Sequence, residues 1–352
     1  MKQHNNRRKF IRNTALAGLG LGLAGTARSM GFAAQTRSAY PAPGQIMASG
    51  RVGMIGLDTS HAAAFTKFIN ASDSGFKVTI AYPQGSRDIE SSASRIPGIT
   101  ETMKGLGVEI AGSIAELLDK CDVVLLETND GRLHLEQALE VIKAGKRVFI
   151  DKPIAASLAD AIAIFDAAQK HNVPVFSSSS LRFNPGVQDM AKGVTVGKIV
   201  GVDSYSPCSL EKTHPDLFWY GIHGVEVLFT LMGKGCKKVV RVNAPEADVA
   251  VGTWEDNRIG TFRGTRGKVA HSYGGTVFGE KAIATIPPFK GYEDLVVKIL
   301  EFFKTGVSPI DPEETLEICA FMEAADQSKK KGGTPVSLQT MFVKARAKAK
   351  KK

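Results

Sequence analysis

Little in this chain marks it for a specialised environment. Its 352 residues hold four cysteines and two tryptophans, and aromatics make up only 7% of the total. Cys121, Cys208, Cys236 and Cys319 lie far apart, without the short spacing of a zinc or iron–sulfur centre, so they read as free thiols in a core. No uncharged apolar stretch reaches the roughly 20 residues that a spanning helix needs. Acid is missing from one region: residues 1–34 contain Lys2, Arg7, Arg8, Lys9, Arg12 and Arg28 and neither Asp nor Glu, and so carry six of the formal charge of +10. A second basic cluster, Lys344 to Lys352, ends the sequence and reads as a solvated tail. The residues between are near neutral, which excludes a basic face for a nucleic-acid backbone.

What is present begins with a leader. Asn6-Arg7-Arg8-Lys9-Phe10-Ile11-Arg12 precedes an uncharged run rich in Ala, Gly and Leu from Thr14 to Ala27. A basic head, a weakly apolar middle and small residues after it describe an export signal rather than a spanning helix. The adjacent arginines, with Phe two positions on, resemble a twin-arginine signal over residues 1–34. The expectation is export to the periplasm or another extracytoplasmic space, with no stable membrane insertion once the signal is cleaved. Residues 35–49, with Pro41, Pro43 and Gly44, read as a linker.

Residues 50–178 alternate strand and helix patterns. Strands are predicted from Arg51 to Ile55 and at Lys77–Ala81, Val108–Ile110, Val123–Leu126, Val148–Ile150 and Val173–Phe176. Ser113 with Glu116, and Ser157 with Asp160, are capping pairs for helices between them, and Gly145 stops another. Such alternation means a doubly wound parallel sheet. Ligands in these sheets bind beyond the carboxyl ends of the strands. Val148-Phe149-Ile150-Asp151-Lys152-Pro153 delivers a lysine to that edge on a proline-stiffened mount. A solvated lysine in a strand-to-helix turn would have the same local sequence.

Residues 179–330 read differently. Short strands at Ile199–Tyr205, Val239–Val242, Val249–Trp254, Arg258–Arg263, Val269–Tyr273 and Ala282–Ile286 suggest a mostly antiparallel open sheet in an α+β domain. A helix carries Tyr220, His223 and Glu226, the last two three residues apart and able to share a face. Amphipathic helices follow at Tyr292–Phe303 and Asp311–Ala325. Residues 331–352 complete the chain as a segment with the basic tail.

The Asp151-Lys152-Pro153 block after Ala144-Gly145-Lys146, in a Rossmann half, resembles the glucose–fructose oxidoreductase/inositol dehydrogenase (Gfo/Idh/MocA) family, where Glu-Lys-Pro is usual. That resemblance implies an N-terminal dinucleotide-binding domain and a C-terminal substrate or oligomerisation domain. The family's Gly-x-Gly-x-x-Gly aligns with Gly56-Leu57-Asp58-Thr59-Ser60-His61, so only the first glycine is kept. It implies NAD or NADP held by Gly56, Asp58, Thr59, Ser60, His61, Asp151 and Lys152, with Thr128, Asn129 and His134 near the nicotinamide. The acid expected after strand two is missing, and Ser86 and Arg87 stand close enough to hold a 2′-phosphate, which tilts toward NADP. The family's Asp-x-Gly-x-His-x-x-Asp helix matches at Gly221 and His223, with Trp219 and Glu226 in place of the two acids. Leu181-Arg182-Phe183 resembles the family's Arg-Phe joint.

The resemblance implies Lys152 and His223 as catalytic residues, and Arg182, Tyr220 and Glu226 as substrate contacts. It implies hydride transfer between NAD(P) and a sugar, cyclitol or related polyol, with no metal, no nucleic acid, and a homo-oligomer within reach. Two alternatives stay open: an NAD-dependent glycoside hydrolase of the same fold, and an exported sugar-binding protein on a degenerate Rossmann fold.

Overall fold

The computed structural model describes residues 46–352. The export signal and nearly all of the linker lie outside the described residues. Six parallel strands form the first sheet: β1 (Gly50–Ile55), β2 (Phe76–Tyr82), β3 (Glu109–Ile110), β4 (Val123–Leu126), β5 (Val148–Asp151) and β6 (Val175–Ser178), in the order β3-β2-β1-β4-β5-β6. The order reverses between β1 and β4, the switch point where a crevice opens. Helices α1 (Ser60–Ala71), α2 (Glu90–Ala93), α3 (Ile96–Gly105), α4 (Ile114–Lys120), α5 (His134–Lys143) and α6 (Leu158–His171) link the strands. Because helices cover both faces, β4 is buried at every position, which is why it reads Val-Val-Leu-Leu.

Capping chemistry sets the helix starts. Ser113 Oγ accepts from the Glu116 N–H, and Ser157 Oγ from the Asp160 N–H. Helix α1 is capped by Thr59, whose Oγ1 accepts from the His61 N–H at 3.2 Å. Helices α2 and α3 are not among the expected elements, although Ile96, Ile99 and Met103 stand at i, i+3 and i+7 in α3. Pro97 opens the first turn of α3, and Met103 is the one buried side chain it contributes.

The second sheet is built from β7 (Ile199–Pro207), β8 (Cys236–Ala244), β9 (Ala247–Trp254), β10 (Ile259–Thr265), β11 (Gly274–Gly279), β12 (Ile283–Thr285) and β13 (Val336–Ser337). Its order is β12-β11-β7-β10-β9-β8-β13, antiparallel except where β7 meets β10. The strand expected at Val269–Tyr273 is instead Gly274–Gly279. There Gly274 pairs with Tyr205 and Phe278 with Gly201 on the neighbouring β7.

The remaining helices are α7 (Pro185–Ala191), α8 (Ile222–Met232), α9 (Glu293–Thr305), α10 (Pro312–Lys330) and α11 (Leu338–Ala349). Helix α9 returns to the first sheet: Leu295, Val296, Ile299, Phe302 and Phe303 share one core with Val52, Phe65, Phe76, Phe149 and Phe176. The basic end is not a solvated tail. It is α11, which buries Leu338, Met341 and Ala345 in the core shared with α6 and α10, and Lys352 pairs with Asp160. All four cysteines are free and buried.

Candidate active site

Strand β5 ends in Asp151, and Lys152 follows it. The Lys152–Pro153 peptide is cis. Lys152 Nζ lies 3.2 Å from Asp151 Oδ2, and the side chain is buried. Burial alone would lower its pKa, but the Asp151 carboxylate outweighs that and raises it, so the side chain stays an ammonium. His223 sits in the first turn of α8, with Nδ1 2.8 Å from Ser179 Oγ. Burial, and then the charge of Lys152, push its pKa well below the ordinary value, so the imidazole is neutral at physiological pH.

These two groups line the same cavity of about 220 Å³. The first sheet contributes Thr59, Ser60, His61, Asn129 and Lys152 to its wall. The second half contributes Trp219, Tyr220, His223 and Tyr273, and Phe289 and Tyr292 close it. Tyr220 packs edge-on against His223 at 5.1 Å, and its Oη lies 3.2 Å from Tyr273 Oη. Ser91, Arg95 and Ser180 also line it and were not foreseen, the first two because α2 and α3 were not.

Other candidates sit elsewhere. Glu226 accepts from Ser178 Oγ at 2.7 Å, the Ser179 N–H at 2.8 Å and Arg182 Nε at 2.7 Å, and Arg182 also pairs with Glu314. Both are buried outside the cavity wall, so they fix the Ser179 segment behind His223 and do not face a substrate. His134 places its ring nitrogens 2.9 Å from Pro153 O and 2.6 Å from Thr128 O, which ties the end of β4 to the loop after β5. Thr128 is buried beside Gly56, and Asp151 lies beneath Lys152.

The glycine turn explains the rest. Gly56 has φ +98°, and a Cβ there would stand 2.3 Å from Thr128 N. Asp58 is wholly buried and accepts from Ser92 Oγ at 2.6 Å and the Asn129 N–H at 3.0 Å. Its pKa is raised by burial, against the pull of these bonds. The segment after β2 folds onto the turn, where the Leu57 N–H donates to Gln84 O at 3.3 Å. Ser86 bonds to Asp130, which also meets His214 Nε2 at 3.0 Å and the Arg132 guanidinium. Ser86 is therefore buried in a polar network, and Arg87 is exposed outside it, so neither reaches the cavity. His61, in place of the third glycine, drops its ring between the strand ends. It stacks on Phe65 at 5.1 Å, with Nδ1 3.1 Å from Asp151 Oδ2 and 3.6 Å from Glu127 Oε2. Burial raises the Glu127 pKa, whereas the neighbouring cations lower that of Asp151 against its own burial.

The nicotinamide end of a dinucleotide fits what is present. The N-terminus of α1, Thr59 and Ser60 open onto the cavity beside Asn129 and Lys152. Beside it, Ser92 and Gln84 hold the segment after β2 against the turn through Asp58 and the Leu57 N–H. The cavity is smaller than the roughly 300–1,000 Å³ of most ligand pockets.

A six-stranded Rossmann sheet joined to an open second sheet, with a lysine and a histidine lining one cavity, defines a two-domain Rossmann architecture. Residues 50–179 match the GFO_IDH_MocA family model, described as an oxidoreductase family with an NAD-binding Rossmann fold. An uncharacterized oxidoreductase of Streptococcus pneumoniae serotype 4 is 33% identical over 96 residues, 27% of this chain and 26% of that protein. Inositol 2-dehydrogenase 3 of Saccharopolyspora erythraea is 31% identical over 97 residues, 27% of this chain and 29% of that one. The match thus spans under a third of the length of these curated relatives. The crystal structure of scyllo-inositol dehydrogenase from Lactobacillus casei with bound NAD(H) and scyllo-inositol superimposes with a TM-score of 0.65 at 18% identity, covering 83% of this chain and 99% of that one. This last likeness shows the fold.

Proposed function

We propose that the protein is an NAD(P)-dependent oxidoreductase acting on a sugar, cyclitol or related polyol. The observation that carries this reading is the meeting of Lys152 and His223 in one cavity, an ammonium from the first half and a neutral imidazole from the second. The bound nicotinamide supplies the hydride acceptor or donor. His223 exchanges the hydroxyl proton of the substrate, and Lys152 stabilises negative charge developing on the reacting oxygen. Thr59, Ser60, Asn129 and Lys152 would hold the nicotinamide end, and Tyr220 and Tyr273 would face the substrate ring. Acid–base work suits His223, since its neutral form can take a proton that the ammonium of Lys152 cannot.

The proposal includes twin-arginine export to an extracytoplasmic space, supported by the Arg7-Arg8 leader. It also includes self-association, supported by exposed Val200, Tyr205, Ile259 and Ile283 on strands of the second sheet. Among the described residues no helix is long and apolar enough to cross a membrane. The test is titration of the purified protein with NADH and NADPH, followed by a polyol and sugar panel. Binding with turnover that is lost in Lys152→Ala and His223→Ala supports the proposal. The buried Asp58 favours one rival, a sugar-binding protein without catalysis, and sugar binding without dinucleotide binding would establish it.

A further inference from the structure

Three side chains from three elements meet beneath the cavity. His61 comes from the first turn of α1, Glu127 follows β4, and Asp151 ends β5. One potential ligand atom of each lies within 4.8 Å of the other two. Their exposures are 8%, 0% and 0%. His61 Nδ1 and all four carboxylate oxygens lack a directed hydrogen bond, although buried polar atoms almost always have one. Lys152 pairs with Asp151, no ion pair to Lys or Arg is seen for Glu127 among the described residues, and an uncompensated buried carboxylate is strongly unfavourable. The cluster is balanced by a proton, on His61 or on Glu127, or by a bound cation.

Geometry separates these. A proton on Nδ1 serves one directed bond, yet Nδ1 stands near two carboxylates, at 3.1 and 3.6 Å, and is aimed at neither. An ion with bonds of about 2.0–2.2 Å to nitrogen and oxygen holds adjacent ligand atoms about 3–3.5 Å apart, close to both spacings. One imidazole with two carboxylates is a mixed set suited to zinc or manganese, and softer than the all-oxygen sets of magnesium or calcium. We propose that His61, Glu127 and Asp151 form a binding site for one divalent transition-metal ion of the Zn²⁺ or Mn²⁺ kind. Lys152 holds the Asp151 carboxylate from the other side, as outer partners of metal ligands do. His61 is the cavity-lining member, so the site lies directly under the space assigned to the substrate. The inference does not rest on hydride transfer, because it is read without substrate or dinucleotide.

The experiment uses the full chain purified without chelator. Elemental analysis comes first, followed by calorimetric titration of chelator-treated protein with ZnCl₂, MnCl₂ and, for comparison, MgCl₂. The expected result is about one equivalent of Zn²⁺ or Mn²⁺ bound at least tenfold more tightly than Mg²⁺, with a raised melting temperature. His61→Gln, which keeps a polar side chain of similar size, should weaken binding at least tenfold. Glu127→Gln is the second variant should the first fail to fold, with circular dichroism reporting the fold. Folded wild-type protein that takes up neither Zn²⁺ nor Mn²⁺, or a folded variant that binds like wild type, overturns the proposal.

Discussion

Asp58→Asn is the substitution that best separates stability from cofactor affinity. The carboxylate occupies the second-glycine position of the phosphate-binding turn, wholly buried, with its oxygens on Ser92 Oγ and the Asn129 N–H. Asparagine has nearly the same shape. Its oxygen can keep the Asn129 bond, and its amide can donate to Ser92 Oγ, so the expected stability change is within about 1 kcal/mol. The charge is what disappears. Two unit charges 4 Å apart interact by about 4 kcal/mol at an effective dielectric of 20. The two hydrogen bonds on Asp58 spread its charge, so about a third of that, about 1.4 kcal/mol, is a reasonable floor and corresponds to tenfold in affinity. NAD⁺ should therefore bind at least tenfold more tightly to Asp58→Asn by isothermal titration, with a smaller gain at high salt. Because burial raises the Asp58 pKa, wild-type affinity should climb as pH falls from 7 toward that pKa and neutralises the acid, while the variant stays flat. An Asn variant with wild-type stability and unchanged or weaker NAD⁺ binding would refute the idea that this carboxylate opposes the pyrophosphate.

Other outcomes follow from the same geometry. Lys152→Met should cut kcat by about 100- to 1,000-fold, as measured on any substrate found active, because a pre-aimed charge at the reacting oxygen contributes on that scale, and should also lower stability, because buried Asp151 loses its ammonium partner. Gly56→Ala should lower stability by more than about 2 kcal/mol in urea unfolding, since the new Cβ falls 2.3 Å from Thr128 N at a φ of +98°. His223 stays neutral in the fold, whereas the unfolded chain protonates it near pH 6.5. Stability from this source is complete above that pH and is lost below it, by at most about 1.4 kcal/mol per pH unit, and His223→Gln should flatten the slope of urea midpoints between pH 7 and 5. Phe302→Ala should cost about 3–5 kcal/mol by calorimetry, because this α9 side chain is 1% exposed and packs edge-on against Phe176 at 4.8 Å.

The parts of this molecule that follow from local rules were legible, and the parts that depend on distant partners were not. The strand from Val148, the capping pairs at Ser113 and Ser157, and the stop at Gly145 each rest on neighbours within one turn, and the structure has them where the pattern put them. Strand β11 was misplaced because its position answers to Tyr205, about seventy residues upstream in sequence. The glycine turn makes the same point at the site. Taken one at a time, Asp58 and His61 read as losses from a phosphate loop. In three dimensions Asp58 is hydrogen-bonded by Ser92 and the Asn129 N–H, and His61 stands beside Glu127 and Asp151, so each replacement faces residues that lie far from it in sequence. A site that had merely decayed would leave such side chains turned to solvent, where a carboxylate and an imidazole are stable without help. Their burial requires matching residues on β4, β5 and the segment after β2. The altered turn is therefore a packed arrangement whose replacements are held by residues far away in sequence.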